Sequence, residues 1–119
     1  MRPHQKLDLW KRAIEFVIAI YKLTERFPKE EKFGLTSQMR RASVSIAANI
    51  AEGAARTSVK EFMQFLSHSQ GSASEVDTEL IIATRLGYVL DEEYEEFSRD
   101  LDDIGRMITR LCQSLRRRT

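Results

Sequence analysis

Residues 36–57, TSQMRRASVSIAANIAEGAART, decide how the chain is read. Ala42, Ser43, Ser45, Ala47, Ala48, Ala51 and Ala54 are small enough to let neighbouring backbones approach closely. Met39, Ala42, Ile46, Ile50 and Gly53 recur at helical spacing and mark a buried line. Arg41, Ser45, Asn49, Glu52 and Arg56 fall on a second face at 4-4-3-4 spacing. This is a core helix that carries polar groups its surroundings must satisfy, and the flanking segments read as three partner helices.

On the N-terminal side, residues 1–6 are expected to be a loose lead-in. A helix is expected from Leu7 or Asp8 to about Phe27, with Asp8 favourable in the first turn. Trp10, Ile14, Val17, Tyr21 and Thr24 form one stripe, and Phe16, Ile20, Leu23 and Phe27 a second beside it. So wide an apolar face implies more than one neighbour. Pro28 ends the helix by pushing the residue before it out of the α region. Residues 28–34 form a charged connection closed by Gly34, and the central helix starts near Leu35 or Thr36.

On the C-terminal side, Ser58 and Glu61 have capping-box spacing, which predicts a break over 56–58 and a helix from Val59 to about Leu86. Its middle, residues 67–74 (SHSQGSAS), is small and polar, but the apolar period stays in register on both sides. Gly71 inside a helix costs about 1 kcal/mol relative to Ala, and close approach of another helix is the expected compensation. Gly87 suits the helix end. Asp91 is expected to cap a last helix whose stripe is Leu90, Tyr94, Phe97, Leu101, Ile104, Ile108, Leu111 and Leu115, with Arg116, Arg117 and Arg118 at its end. Helices of this length span about 30–40 Å, and short links make sequential neighbours antiparallel. The expected architecture is all-α: an up-down-up-down antiparallel four-helix bundle, with residues 1–119 as one domain.

Composition narrows the function classes. The 119 residues are 42% hydrophobic and 31% charged, which excludes a disordered chain, and no apolar run is long enough to span a membrane. A single cysteine, Cys112, cannot form an internal disulfide and, on an apolar helix face, reads as a small core residue. No signal-peptide pattern opens the chain, so the expected compartment is the cytoplasm. Net charge is +1, against a strongly steered nucleic-acid binder. The charge is unevenly spread, however. Residues 91–103 hold eight acidic residues and one Arg, whereas 104–119 hold five Arg and no acid.

Two separated stretches carry a family resemblance. Arg40 to Gly53, RRASVSIAANIAEG, resembles the signature of the four helix bundle proteins encoded in intervening sequences of bacterial 23S ribosomal RNA genes. Gly71 to Thr78, GSASEVDT, looks like the second signature of that family, and the approach over 30–36 and the Leu-Gly-Tyr turn at 86–88 fit it too. Ala47 departs from the pattern, which often has proline there, so a kink at that point is weaker or absent. The resemblance implies a left-handed bundle assembled into a ring, typically a homopentamer. It implies no settled activity. A distantly related protein of diversity-generating retroelements forms a similar ring and engages a reverse transcriptase and nucleic acid, an analogy of fold.

Two residue sets are candidates for function. Ser72, Glu75 and Glu79 share one stripe of the third helix, with His68 four residues before Ser72. If the second and third helices are antiparallel neighbours, this stripe faces Arg41, Asn49 and Glu52. The set is then either a ligand pocket or a network that fixes helix register or a subunit interface. Gly53 and Gly71 belong to the same packing signature, and Glu52→Ala is expected to disturb folding or assembly. The second set, Arg40, Arg41, Arg56, Lys60, Arg106, Arg110, Arg116, Arg117 and Arg118, offers phosphate contacts, with surface charge and helix-dipole compensation as the plainer reading. No Glu-x-x-His pair, Walker loop, dinucleotide turn or Ser-His-Asp set is present, so no catalytic residue, cofactor or metal is expected. The partners expected are further copies of the chain and structured RNA or another nucleic acid. A protein–protein adaptor without nucleic acid is the alternative.

Overall fold

A computed structural model describes residues 1–118. Four helices carry the chain: α1 (Asp8–Thr24), α2 (Leu35–Ala54), α3 (Val59–Arg85) and α4 (Asp91–Arg116). Short 3-10 turns occupy Pro3–Lys6 and Lys29–Glu31. The lead-in expected to be loose is therefore folded in part, and His4 meets the Trp10 ring edge-on at 4.9 Å.

Each boundary has a local cause. α1 stops at Thr24, whose hydroxyl donates to the Ile20 carbonyl at 2.8 Å, and the chain then turns so that Phe27 packs on Tyr88. Ser58 accepts from the Glu61 backbone N–H at 3.0 Å, as the capping-box spacing requires. Residues 67–74 continue α3 without a break, because Ser69 and Val76 extend its buried line through the polar stretch. Gly87, at φ +85°, adopts the left-handed conformation that lets the chain leave α3. Two expectations at the start of α4 are corrected. Leu90 occupies the N-cap and is 62% exposed, so it lies outside the buried stripe, and Asp91 is the first helical residue. Capping comes instead from Glu93, whose carboxylate accepts the Leu90 N–H at 2.9 Å.

The helices pack around a square: α1 on α2, α2 on α3, α3 on α4, and α4 back on α1. Contacts across the pairs run in opposite senses. Gly53 lies against Phe62 and Phe65, whereas Ser45 bonds Ser72. Arg12 pairs with Asp100 and Asp103, whereas Arg26 pairs with Glu93. Ile20, Met39, Ile46, Ile50, Leu66, Val76, Leu80, Ile104 and Ile108 fill the centre. The Arg12 clamp closes the α4–α1 edge, with Nη2 donating to Asp100 at 3.0 Å and to Asp103 at 2.9 Å. The guanidinium holds the Asp103 carboxyl below its ordinary range. The pair is partly exposed, so solvent screens it and it adds little to stability.

The two signature glycines have opposite surroundings. A Cβ at Gly53 would lie 2.9 Å from both Phe62 Cδ1 and Phe65 Cβ. A Cβ at Gly71 would meet nothing within 4 Å. The close approach expected at Gly71 is therefore absent, and the tight point of the α2–α3 pair is Gly53. Gly71→Ala should accordingly raise stability by roughly 0.5–1 kcal/mol, because only the helix propensity changes. Urea denaturation of the two proteins at one pH checks this, and a loss of stability would place an unseen neighbour at that position.

Candidate functional sites: a polar seam and a basic end

α2 and α3 share the most extensive helix–helix contact, because small side chains line it. Ser69, fully buried, donates to the Ile46 carbonyl at 2.8 Å. Ser72 donates to Ser45 Oγ at 2.9 Å, and Asn49 donates to the Ser45 carbonyl and Oγ at 2.8 and 3.0 Å. The two polar stripes read from the sequence meet here through the Ser45–Ser72 bond, with Asn49 bound to Ser45 on its own helix. These bonds satisfy groups that would otherwise cost about 1–3 kcal/mol each when buried.

Glu52 does not join them. Its side chain is 60% exposed, and its one ion pair is a 3.9 Å approach to Arg56 on the same helix. Glu52→Ala should therefore shift the stability of the folded chain by less than about 0.5 kcal/mol. A larger drop in denaturant midpoint would reinstate it as a packing residue.

Beyond Ser72 the seam opens into a groove of about 790 Å³, lined by Ser37, Gln38 and Arg41 of α2, by Glu75, Thr78, Glu79 and Ile82 of α3, and by Phe33 of the connection before α2. Glu79 is only 5% exposed, and its Oε1 has no hydrogen-bond partner. Burial, reinforced by the neighbouring Glu75 carboxylate, pushes the Glu79 carboxyl up to about 7. Arg41 stands on the groove wall, exposed, and forms no ion pair with either glutamate. Among the described residues, no three His, Cys, Asp or Glu side chains converge in the manner of a metal site. Cys112 is half-buried, and burial pushes its thiol up, away from the reactive thiolate.

The cationic set divides. Arg40 is an internal tie: Nε donates to Thr24 Oγ1 at 2.8 Å, and the guanidinium lies 4.6 Å from the Tyr21 ring centroid. Arg106 is paired with Asp103 on its own helix, and Arg41 is on the groove. The remainder gather at one end of the bundle. Lys60 and Arg116 line a shared surface depression between α3 and α4, and Arg110 lines another with Leu7 and Leu9. Arg56 lies over the Phe65 ring at 4.8 Å. Arg117 and Arg118 follow Arg116, exposed. The antiparallel packing brings Arg2, Lys6 and Lys11, which the sequence reading did not single out, to this same end. Asp8, Glu52 and Glu61 are the acids there. At the opposite end, Glu25, Glu30, Glu31, Asp91, Glu92, Glu93, Glu95 and Glu96 outnumber Lys22, Arg26, Lys29, Lys32 and Arg85, which leaves a mildly acidic surface. The bundle is polarised along its 47 Å length. One signal in the sequence pointed to the groove: Glu75 and Glu79 are like charges four apart on one helix, where they repel each other.

Among the described residues, no helix is long and apolar enough to cross a membrane. No curated protein matches the chain. Among solved structures, the chain is similar to a protein of unknown function from the S23 ribosomal protein family of Bacteroides thetaiotaomicron. The two are 25% identical and superpose with a TM-score of 0.77 over 87% of this chain and 97% of that one. The four-helix architecture is common to both. Residues 5–110 match the model of the 23S rRNA-intervening sequence protein family, a span that includes both signature stretches. The chain belongs to the 23S rRNA-intervening sequence protein family.

Proposed function

We propose that this protein is a non-enzymatic, homo-oligomeric scaffold of the cytoplasm that associates with structured RNA through its basic end. The observation that carries the reading is the convergence of Arg2, Lys6, Lys11, Arg56, Lys60, Arg110 and Arg116–118 on one end of a bundle whose net charge is only +1. A phosphate backbone responds to local rather than total charge, and closed symmetry would repeat the patch in each subunit. A pentameric ring is the assembly that the family resemblance favours. Light scattering should show a species several times the 13.8 kDa chain mass, and a monomer throughout the micromolar range would overturn the assembly.

The RNA arm has its own test. Filter binding to a structured RNA hairpin should weaken steeply as salt rises. Converting Arg116, Arg117 and Arg118 to Gln should flatten the slope of log K against log salt by about 2–3, since each phosphate contact contributes close to one unit. No retention of the hairpin at about 50 mM salt, or an unchanged slope, would remove the nucleic-acid role.

An adaptor role is the second reading. It is favoured by Phe33, Leu86 and Leu90, 89%, 55% and 62% exposed, in the connections at the other end. Affinity purification from native cells separates the two by recovering RNA or a stoichiometric protein.

A further inference from the structure

We propose that the α2–α3 groove is a binding site for a primary ammonium or guanidinium group, held by the carboxylates of Glu75 and Glu79. The site lies in the half of the bundle away from the basic end and does not depend on the RNA reading.

The geometry supports this in three ways. First, Glu79 is nineteen-twentieths buried yet lines an open groove, and its Oε1 accepts no hydrogen bond. A buried acceptor left without a donor is destabilising, and an incoming N–H donor removes that cost. Second, Glu75 stands beside it, so a charge-assisted bond from one cation can reach two carboxylates. Third, Phe33 and Ile82 flank the carboxylates with exposed apolar surface, on which the alkyl stem of an amine or the face of a guanidinium packs well. A divalent ion fits less well, because it asks for more oxygen ligands than this pair provides. The charged groups facing Glu79 are Glu75 on its own helix and Arg41 across the groove on α2, while Lys32 sits over the Phe33 ring at the groove's rim. Arg41 repels a cationic ligand and is not neutralised by either glutamate.

Binding therefore has a direction with pH. The proton on Glu79 leaves as the cation enters, so binding near neutral pH releases about half a proton per site to buffer. Affinity should be roughly tenfold stronger at pH 8 than at pH 6. The cation could be supplied by a free amine or by a basic side chain of a second copy, and the experiment has an arm for each.

Calorimetric titration of the full chain with 1,4-diaminobutane at pH 8 should show saturable binding. Glu79→Gln should weaken it at least tenfold, Glu75→Gln should weaken it less, and Arg41→Gln should strengthen it by roughly threefold. Sedimentation velocity of the same proteins tests the second source. If the wild-type assembly disperses at pH 5.5 and in Glu79→Gln, the cation comes from a second copy. Diamine binding that ignores Glu79→Gln overturns the site, as does absence of both diamine binding and any Glu79-dependent assembly. Melting of each variant by circular dichroism confirms that it is folded, and Glu75→Gln carries the test should Glu79→Gln fail to fold. A Glu79→Gln protein that keeps the wild-type assembly should bind the hairpin as wild type does, so loss of RNA binding and loss of this site are separable results.

Discussion

Gly53→Ala should lower stability by about 2 kcal/mol, which for a chain of this size moves the melting temperature down by roughly 8–10 °C. On helix propensity alone the substitution should help by about 1 kcal/mol. Packing reverses the sign. The added methyl would sit 2.9 Å from Phe62 Cδ1 and Phe65 Cβ and 3.2 Å from the Phe62 carbonyl oxygen, well inside the usual carbon–carbon separation. Phe65 Cβ and the carbonyl are fixed to the backbone of α3, so the relief must come from moving the helices apart. That motion would also stretch the Ser69–Ile46 and Ser72–Ser45 bonds along the seam. Gly53→Val should be worse than Gly53→Ala, because two more methyls enter the same contact. Thermal melts followed by circular dichroism decide the matter. An Ala variant as stable as wild type would mean that α2 and α3 do not approach closely at this position.

Replacing Glu79 by Gln should make the protein more stable at pH 8, by roughly 2 kcal/mol, and change it little at pH 5. The sign follows from the direction of the shift. Burial and the Glu75 charge raise the Glu79 carboxyl from its ordinary 4.5 to about 7 in the folded chain. The unfolded chain therefore gives up this proton first. The contribution of the neutral carboxyl is fully present below about pH 4.5 and is lost as pH rises through 7. Gln keeps the shape and the neutral hydrogen-bonding character without the proton, so it removes the dependence. Asp103 and Glu93, both lowered by arginine partners, act in the opposite sense at acid pH and are common to both proteins. The difference between the two urea-derived stability curves thus isolates Glu79. Parallel curves from pH 5 to 8 would show that Glu79 is ionised without penalty.

The helices were legible because local chemistry decides them. The Ser58–Glu61 cap and the periodic stripes placed α2 and α3 to within a residue or two. The same reasoning failed where one residue serves two roles. Leu90 continues the spacing of the α4 stripe, yet it occupies the N-cap, where the backbone is extended and its side chain turns to solvent. Gly71 and Gly53 are alike in sequence as glycines within helices. Only the position of α3 relative to α2 makes one of them indispensable to packing and leaves the other facing solvent.

The functional candidates divide along the same line. Spacing put Ser72, Glu75 and Glu79 on one stripe and Ser45 and Asn49 on another; once the helices packed antiparallel, Ser72 met Ser45, whereas Glu75 and Glu79 fell on the groove. Arg40 and Arg41 are adjacent residues read as one pair of cations, but helical geometry sets them on different faces. Arg40 is spent on Thr24 and Tyr21, and Arg41 stands on the groove. The basic end draws on residues from 2 to 118, brought together by four helices whose ends alternate. By itself, then, the sequence determined the helical architecture and the family, because hydrophobic period and capping are local properties of the chain. The tertiary structure alone decided which glycine is tight, which glutamate is buried and which cations gather, because those are distances between residues far apart in the chain.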